Sequence, residues 1–363
     1  MAALTLSLTA PPTAVAPGAE SPAATTPTAA ATGARTVWLR VPDVQGSYTI
    51  PYIQSSPDLE ITTAFTNPAV VAAQLQLLRG DAASVAEIVI TPEAPTACFT
   101  ALAPAEYAVR ITGLDAAGGV VSVDRYEHLA VGTVIAALGD SITEGYHSQG
   151  FWRDNLDLTP DVFPPDVVSR DQRNYPQYTP TTACHRPEVN AFASWMPRLN
   201  DLLAGAWQRP VFIANEGWGG FTTANYLNLM QDSAWQERMR LLKPTVWLIH
   251  LGVNDERAQV APEAFAARLA AIVDVLLQDY AAPPARIYIS RPCYDYAPGA
   301  LPILEAYAVE IDNLVAAQGL EHGPDFLTAY AVEKERLYGP DPVHPNLAGT
   351  ELMAELWAAV LTR

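Results

Sequence analysis

The chain has 363 residues, enough for two domains of ordinary size whose cores need neither disulfides nor metals. Half of the residues are hydrophobic and 17% are charged, which argues against wholesale disorder. With 21 Lys and Arg against 39 Asp and Glu the formal charge is -18, so a nucleic-acid backbone or an anionic membrane would be repelled as main partner. No apolar run approaches the roughly 18 residues that span a bilayer, and no membrane span is expected.

Residues 1–35 are rich in Ala, Pro and Thr and read as a flexible or polyproline-like leader, or as a loop packed along a domain. The opening residues lack a basic segment and make a poor signal peptide, so the compartment stays open. Over 36–131, short β-rich runs recur at 36–41, 47–52, 59–65, 70–78, 85–90, 107–111 and 120–123, punctuated by Pro and Gly. About seven such strands predict an all-β sandwich. The stretch Leu102-Ala103-Pro104-Ala105-Glu106-Tyr107, followed by Val109 and Ile111, resembles the tyrosine corner of fibronectin type III and other immunoglobulin-like domains. That resemblance implies an accessory domain whose Tyr107 bonds back to the preceding turn. It would pack on the next domain or bind carbohydrate.

From 132 to 363 the pattern alternates between strand and helix. Apolar runs at 133–138, 211–214, 246–251 and 287–290 predict buried parallel strands. Helical periodicities lie at 191–206, 224–242, 262–279, 302–318 and 347–361. The alternation predicts an α/β unit with helices on both faces of a parallel sheet, and hence a site outside the carboxyl ends of the strands.

The segments at the ends of those strands carry the chemistry. The first strand leads into Gly139-Asp140-Ser141-Ile142-Thr143, and the second into Asn215-Glu216-Gly217-Trp218-Gly219-Gly220-Phe221-Thr222. The third leads into Gly252-Val253-Asn254-Asp255, and Asp341-Pro342-Val343-His344-Pro345-Asn346 precedes the last helix. A serine, a glycine turn, an asparagine and an Asp/His pair are the parts of a nucleophilic ester hydrolase.

The four blocks in this order resemble the SGNH (GDSL) hydrolase superfamily, over about two thirds of the chain. The resemblance implies a flavodoxin-like α/β/α three-layer fold, with Ser141 as nucleophile, His344 as base and Asp341 holding the imidazole. It implies an oxyanion hole made by the Ser141 and Gly220 backbone N–H groups and the Asn254 side chain. Gly217 and Gly219 compete with Gly220 for that role, and the family motif favours Gly220. No cofactor and no metal are implied. Asp140 and Asp255 read as groups that hold their loops, Asn346 as the cap of the last helix, and His250 as a satisfied core histidine. His147 is the rival base, without a carboxylate at fixed spacing.

About fifty residues separate Ser141 from the next helix. The insertion 145–190 is polar and aromatic, and predicts a wall or lid over the site. Tyr146, Trp152, Trp218 and Tyr294 are candidate substrate contacts. Cys98, Cys184 and Cys293 contain no Cys-x-x-Cys pair; a disulfide between Cys184 and Cys293 is one arrangement, and three buried thiols are another. The expected activity is hydrolysis of short acyl esters, acetyl esters of carbohydrates among them, through an acyl-serine intermediate. A lipase, lysophospholipase or thioesterase of the same superfamily is the alternative, and a catalytically silent carbohydrate-binding protein is the rival from another class. Oligomeric state is not assigned.

Overall fold

The computed structural model describes residues 40–43, 46–49, 52–80, 83–146, 194–295, 297–338 and 342–363. The chain forms two compact units. Residues 49–52 and 56–131 belong to the first, and 40–48, 53–55 and 132–363 to the second.

The strands in chain order up to the second unit's sheet are β1 Arg40–Asp43, β2 Gly46–Thr49, β3 Tyr52–Gln54, β4 Leu59–Thr62, β5 Ala72–Arg79, β6 Ala83–Ile90, β7 Thr96–Phe99, β8 Ala105–Leu114 and β9 Val120–Val131. In the first unit β9, β8, β5 and β6 are hydrogen-bonded in that order, all antiparallel, and β4 pairs with β7. Strand periodicity decides which side chains go inside: Ala73, Leu75 and Leu77 of β5 and Val109 and Ile111 of β8 are buried, as are Leu59 and Ile61 of β4 with Ala97 and Phe99 of β7. The Tyr107 hydroxyl donates to the Ala103 carbonyl at 2.6 Å. Strand β7 has no counterpart among the β-rich runs of the sequence. Its four residues, Thr-Ala-Cys-Phe, carry only two inward apolar positions, and the signal is too short to stand out.

The second unit continues with β10 Thr133–Gly139, α1 Ser141–Glu144, α2 Trp195–Trp207, β11 Val211–Gly217, α3 Thr223–Leu229, α4 Ser233–Leu242, β12 Val246–His250, α5 Val253–Arg257 and α6 Pro262–Asp279. It ends with β13 Ile287–Arg291, α7 Ala300–Gln318, β14 Glu321–Asp325, α8 Phe326–Val332, α9 Lys334–Leu337 and α10 Leu347–Leu361. The sheet runs β11-β10-β12-β13-β14, with every pair parallel. This is the flavodoxin order, in which the chain reverses direction of travel across the sheet between its first and third strands, β10 and β12.

β10 is buried at all seven positions, which is why it reads as an unbroken apolar run. Its alternate residues serve two layers. Ile135 and Ala137 pack with Trp195, Met196, Leu199 and Leu203 of α2 and with Met353, Ala354 and Trp357 of α10. The four α2 residues share one helical face, and each such burial stabilises by about 1.5–3 kcal/mol. Helices α6 and α7 pair with each other, and Phe265 of α6 stacks on Tyr307 of α7 at 4.1 Å.

Two features depart from the expected pattern. The helix expected over 224–242 is two helices: the first ends at Leu229 with Met230 as its cap, and Asp232 accepts the Trp235 N–H at 3.0 Å at the start of the second. Strand β14 and helices α8 and α9 have no counterpart in the sequence pattern. β14 is Glu-His-Gly-Pro-Asp at the edge of the sheet, with both Glu321 and His322 exposed, so it carries no apolar signature. Among the described residues no helix is long and apolar enough to cross a membrane.

At the end of β11 the Glu216 carboxylate is fully buried and receives Arg238 through Nε at 3.1 Å and Nη2 at 2.6 Å, with Trp235 Nε1 at 3.1 Å. Arg238→Met is expected to lower the unfolding free energy by about 3–5 kcal/mol, because it strands a buried charge. The double variant with Glu216→Leu should recover most of that loss, and urea denaturation of the three proteins checks it.

Candidate active site

The carboxyl ends of β10, β11 and β12 hold the first three blocks, and the loop before α10 holds the fourth. β10 delivers the serine through a turn that only glycine permits. A Cβ on Gly139 would lie 2.1 Å from Thr143 Oγ1 and 2.9 Å from the His250 carbonyl. Asp140 then caps α1, its Oδ1 accepting the Ile142 N–H at 3.0 Å. Ser141 is the first residue of that helix and is 8% exposed.

β11 brings the glycine turn against the serine turn. A Cβ on Gly217 would fall 2.3 Å from the Glu144 nitrogen and 2.9 Å from the Asp140 carbonyl, so the backbones touch directly. Asn215 secures the approach: its Nδ2 donates to the Glu144 carbonyl at 3.3 Å and its Oδ1 accepts from the Gly217 N–H at 3.0 Å. The Trp218 N–H donates to the Gly139 carbonyl at 3.0 Å, and the Phe221 N–H closes a turn on the Trp218 carbonyl at 3.1 Å. Gly220 sits in that turn at φ +80°, with open space where a Cβ would go.

β12 leads through Gly252, at φ +129°, into α5. Asn254 Nδ2 donates to the Phe221 carbonyl at 3.1 Å and lies 3.5 Å from Asp140 Oδ2, so the third block touches the second and the first. Asp255 receives the Thr223 N–H at 2.9 Å and the Thr223 hydroxyl at 2.6 Å, which latches α3 to α5. Asp140 and Asp255 thus act as loop-holding groups.

The fourth block meets the first. His344 Nε2 lies 2.8 Å from Ser141 Oγ, across 203 positions of sequence. The loop is clamped by Asn346, whose Oδ1 caps α10 through the Gly349 N–H at 3.1 Å while its Nδ2 donates to the carbonyls of Arg336 and Tyr338 at 3.0 and 2.9 Å. Tyr338 also bridges Pro345. Asp341 lies outside the described residues, as do Trp152, His147, Cys184 and nearly all of the insertion. A hydroxyl held on an imidazole nitrogen, beside a turn with an unobstructed glycine and a side-chain amide, is an arrangement able to attack an acyl carbon and to meet the negative oxygen that results.

Among the aromatic candidates, Tyr146 packs on His344 with ring centroids 4.6 Å apart, and Trp218 stacks on Phe221 at 5.7 Å. At Tyr294 the backbone carbonyl accepts from the Tyr338 hydroxyl at 2.5 Å, and the Lys334 ammonium lies 6.0 Å from the ring. The Asn215 brace and the Thr223–Asp255 latch are not legible in the sequence. Beside the latch, Thr222 and Asn225 form a reciprocal capping box at the start of α3. His250 corrects one expectation. Its ring is buried against the edge of Phe326 at 5.3 Å, and neither nitrogen has a hydrogen-bond partner among the described residues.

The sequence pattern of the GDSL-like lipase/acylhydrolase family matches residues 137–352, and the chain belongs to that family. It is therefore a member of a family of ester hydrolases. No curated protein sequence matches it. Among solved structures it is similar to a carbohydrate acetylesterase from Xanthomonas citri, at 13% identity and TM-score 0.50, covering 90% of this chain and 74% of that one. It is also similar to an acetyl xylan esterase from Geobacillus stearothermophilus at 18% identity and TM-score 0.41, covering 64% and 94%. A third is the psychrotrophic esterase EstA from Pseudoalteromonas, at 15% identity and TM-score 0.42, covering 63% and 96%.

Two buried groups under the site titrate in opposite senses. Burial pushes the Asp140 carboxyl up to about 7; the Ile142 N–H works against this and the charges of Asp255 and Glu144 add to it. Burial pushes His250 down to about 3. Asp140 holds its proton longer when folded, so its contribution to stability falls as pH rises from about 4 to 7. His250 resists protonation when folded, so its contribution falls as pH drops from about 6.5 toward 3. Relative to the parent, Asp140→Asn should make stability rise more steeply with pH over 4–6.5, and His250→Phe should make it rise less. Denaturant unfolding at pH 4, 5.5 and 7 measures both slopes.

Proposed function

We propose that the protein is a serine esterase that hydrolyses short acyl esters, acetyl groups on carbohydrate among them, by two-step acyl transfer. The reading is carried by the 2.8 Å contact between Ser141 Oγ and His344 Nε2. Ser141 Oγ forms a bond to the acyl carbon as its proton passes to His344 Nε2, and the carbonyl electron pair moves onto oxygen. The tetrahedral intermediate collapses with loss of the alcohol, which takes the proton from His344. Water then repeats the sequence on the acyl-serine, with His344 as base. The negative oxygen would be met by the N–H groups of Ser141 and Gly220 and by the Asn254 amide, whose longer contact, to Asp140 at 3.5 Å, is the one most easily given up. Asp341 would hold the imidazole in the tautomer that leaves Nε2 free. The cycle needs no cofactor.

The carbohydrate preference draws on the Xanthomonas citri carbohydrate acetylesterase, whose fold match covers 90% of this chain. Trp218, Trp152 and Tyr294 are the proposed aromatic contacts to the substrate, with Trp218 and its neighbour Phe221 forming a stacked pair beside the oxyanion turn. For the organisation of the chain we propose an immunoglobulin-like accessory domain within 36–131 and the hydrolase domain at 132–363; residues 1–35 and nearly all of the insertion 145–190 lie outside the described residues. The Tyr107–Ala103 bond and the antiparallel strands support the accessory domain.

Ser141→Ala should abolish hydrolysis of p-nitrophenyl acetate, and parent-like rates in that variant would end the proposal. Asn254→Ala should lower kcat by about 10²–10³ with the far-ultraviolet circular dichroism unchanged. A series of p-nitrophenyl esters from acetyl to decanoyl, run beside an acetylated oligosaccharide, separates a short-chain esterase from a lipase. A maximum at long chains would overturn the substrate class while leaving the esterase in place.

A further inference from the structure

Tyr146 lies just past the short helix that the nucleophile begins, and its ring packs on the imidazole paired with that nucleophile. The ring centroids of Tyr146 and His344 are 4.6 Å apart, with planes tilted by 53°. The serine's own backbone sets this approach. Gly145, at φ +100°, ends α1, and the N–H groups of Gly145 and Tyr146 both donate to the Ser141 carbonyl, at 3.1 and 2.9 Å. One short turn therefore aims the hydroxyl at Nε2 and also delivers an aromatic ring to the same imidazole.

We propose that Tyr146 is a positioning residue for His344, holding its ring toward Ser141 and stabilising the imidazolium that forms in each acyl-transfer step. This rests on the serine esterase reading and moves Tyr146 from substrate contact to support of the base. An aromatic ring attracts a cation through its quadrupole and has little such attraction for a neutral imidazole. The contact is thus stronger in the transition state than in the ground state, the condition for accelerating a step rather than tightening substrate binding. The step balances within the site: as the Ser141 Oγ–C bond forms, the Oγ–H proton becomes the Nε2–H of a cationic ring, and it leaves with the alcohol. Formation and hydrolysis of the acyl-enzyme both pass through that cation, so losing the ring slows both steps together and leaves KM nearly unchanged.

The experiment compares Tyr146→Leu and Tyr146→Phe with the parent on p-nitrophenyl acetate, p-nitrophenyl butyrate and phenyl acetate. Tyr146→Leu should lower kcat by about 3- to 30-fold, the rate equivalent of a cation–π contact. The factor should be the same for all three esters, with KM within about twofold. Tyr146→Phe keeps the ring and should recover most of kcat. The rate of labelling of Ser141 by a small fluorophosphonate should fall in parallel, because it needs the base but no acyl pocket. Should Tyr146→Leu not fold, Tyr146→Met takes its place. A KM change that depends on the acyl group with kcat retained would overturn the inference in favour of a substrate contact. So would a parent-like kcat in Tyr146→Leu, or a Tyr146→Phe as slow as the leucine variant. If the parent neither hydrolyses any ester nor takes the label at Ser141, the esterase reading falls and this inference with it. Activity lost in Ser141→Ala but unaffected in Tyr146→Leu overturns this inference alone.

Discussion

A serine hydroxyl and an imidazole nitrogen 203 residues apart meet at 2.8 Å, and the second unit can be understood as the scaffold that holds that distance. An alcohol is a poor nucleophile until a base stands within hydrogen-bond reach, so an error of about one ångström would cost most of the reactivity. Covalent neighbours cannot supply such precision across so much chain. It comes from backbone segments packed directly on one another at the point where the sheet order reverses.

Close approach is the recurring device. Gly139 and Gly217 are each pressed against backbone of the serine turn or the neighbouring strand, and a methyl group at either would overlap atoms that cannot move away. Polar side chains then tie the loops together. Asn215 joins the second block to the first, Asn254 joins the third to both, and Asn346 pins the histidine loop while capping α10. Asparagine suits these positions because one amide offers donor and acceptor and carries no charge to bury. This is preorganisation in the physical sense: the ordering is complete before a substrate arrives.

Beneath the site, buried ionisable groups are handled in different ways. The Glu216 carboxylate is met by a guanidinium and an indole N–H. His250 stays neutral against an aromatic edge. Asp140 is buried and caps the helix that Ser141 begins, with burial pushing its carboxyl up to about 7. Each arrangement avoids an uncompensated charge in a medium that solvates it poorly.

The α/β alternation, the buried parallel strands and the identity of the four blocks are legible in the amino-acid order alone. Those signals are local: β10 is apolar at successive positions because both its faces are covered, and Gly-Asp-Ser or Gly-x-Asn-Asp stands out within a few residues. β14 is hidden, because its polar edge residues carry no periodicity, and so is the break at Asp232 inside an otherwise helical stretch. Nor does the order of residues say which glycine packs on backbone and which faces open space; only the meeting of β11 with the serine turn separates Gly217 from Gly220. Tyr146 stands out as an aromatic residue near the serine, while its contact with His344 depends on a loop about two hundred positions away. Periodicity and motif encode what a residue does for its own segment, whereas contacts between segments exist only once the sheet has brought their ends together.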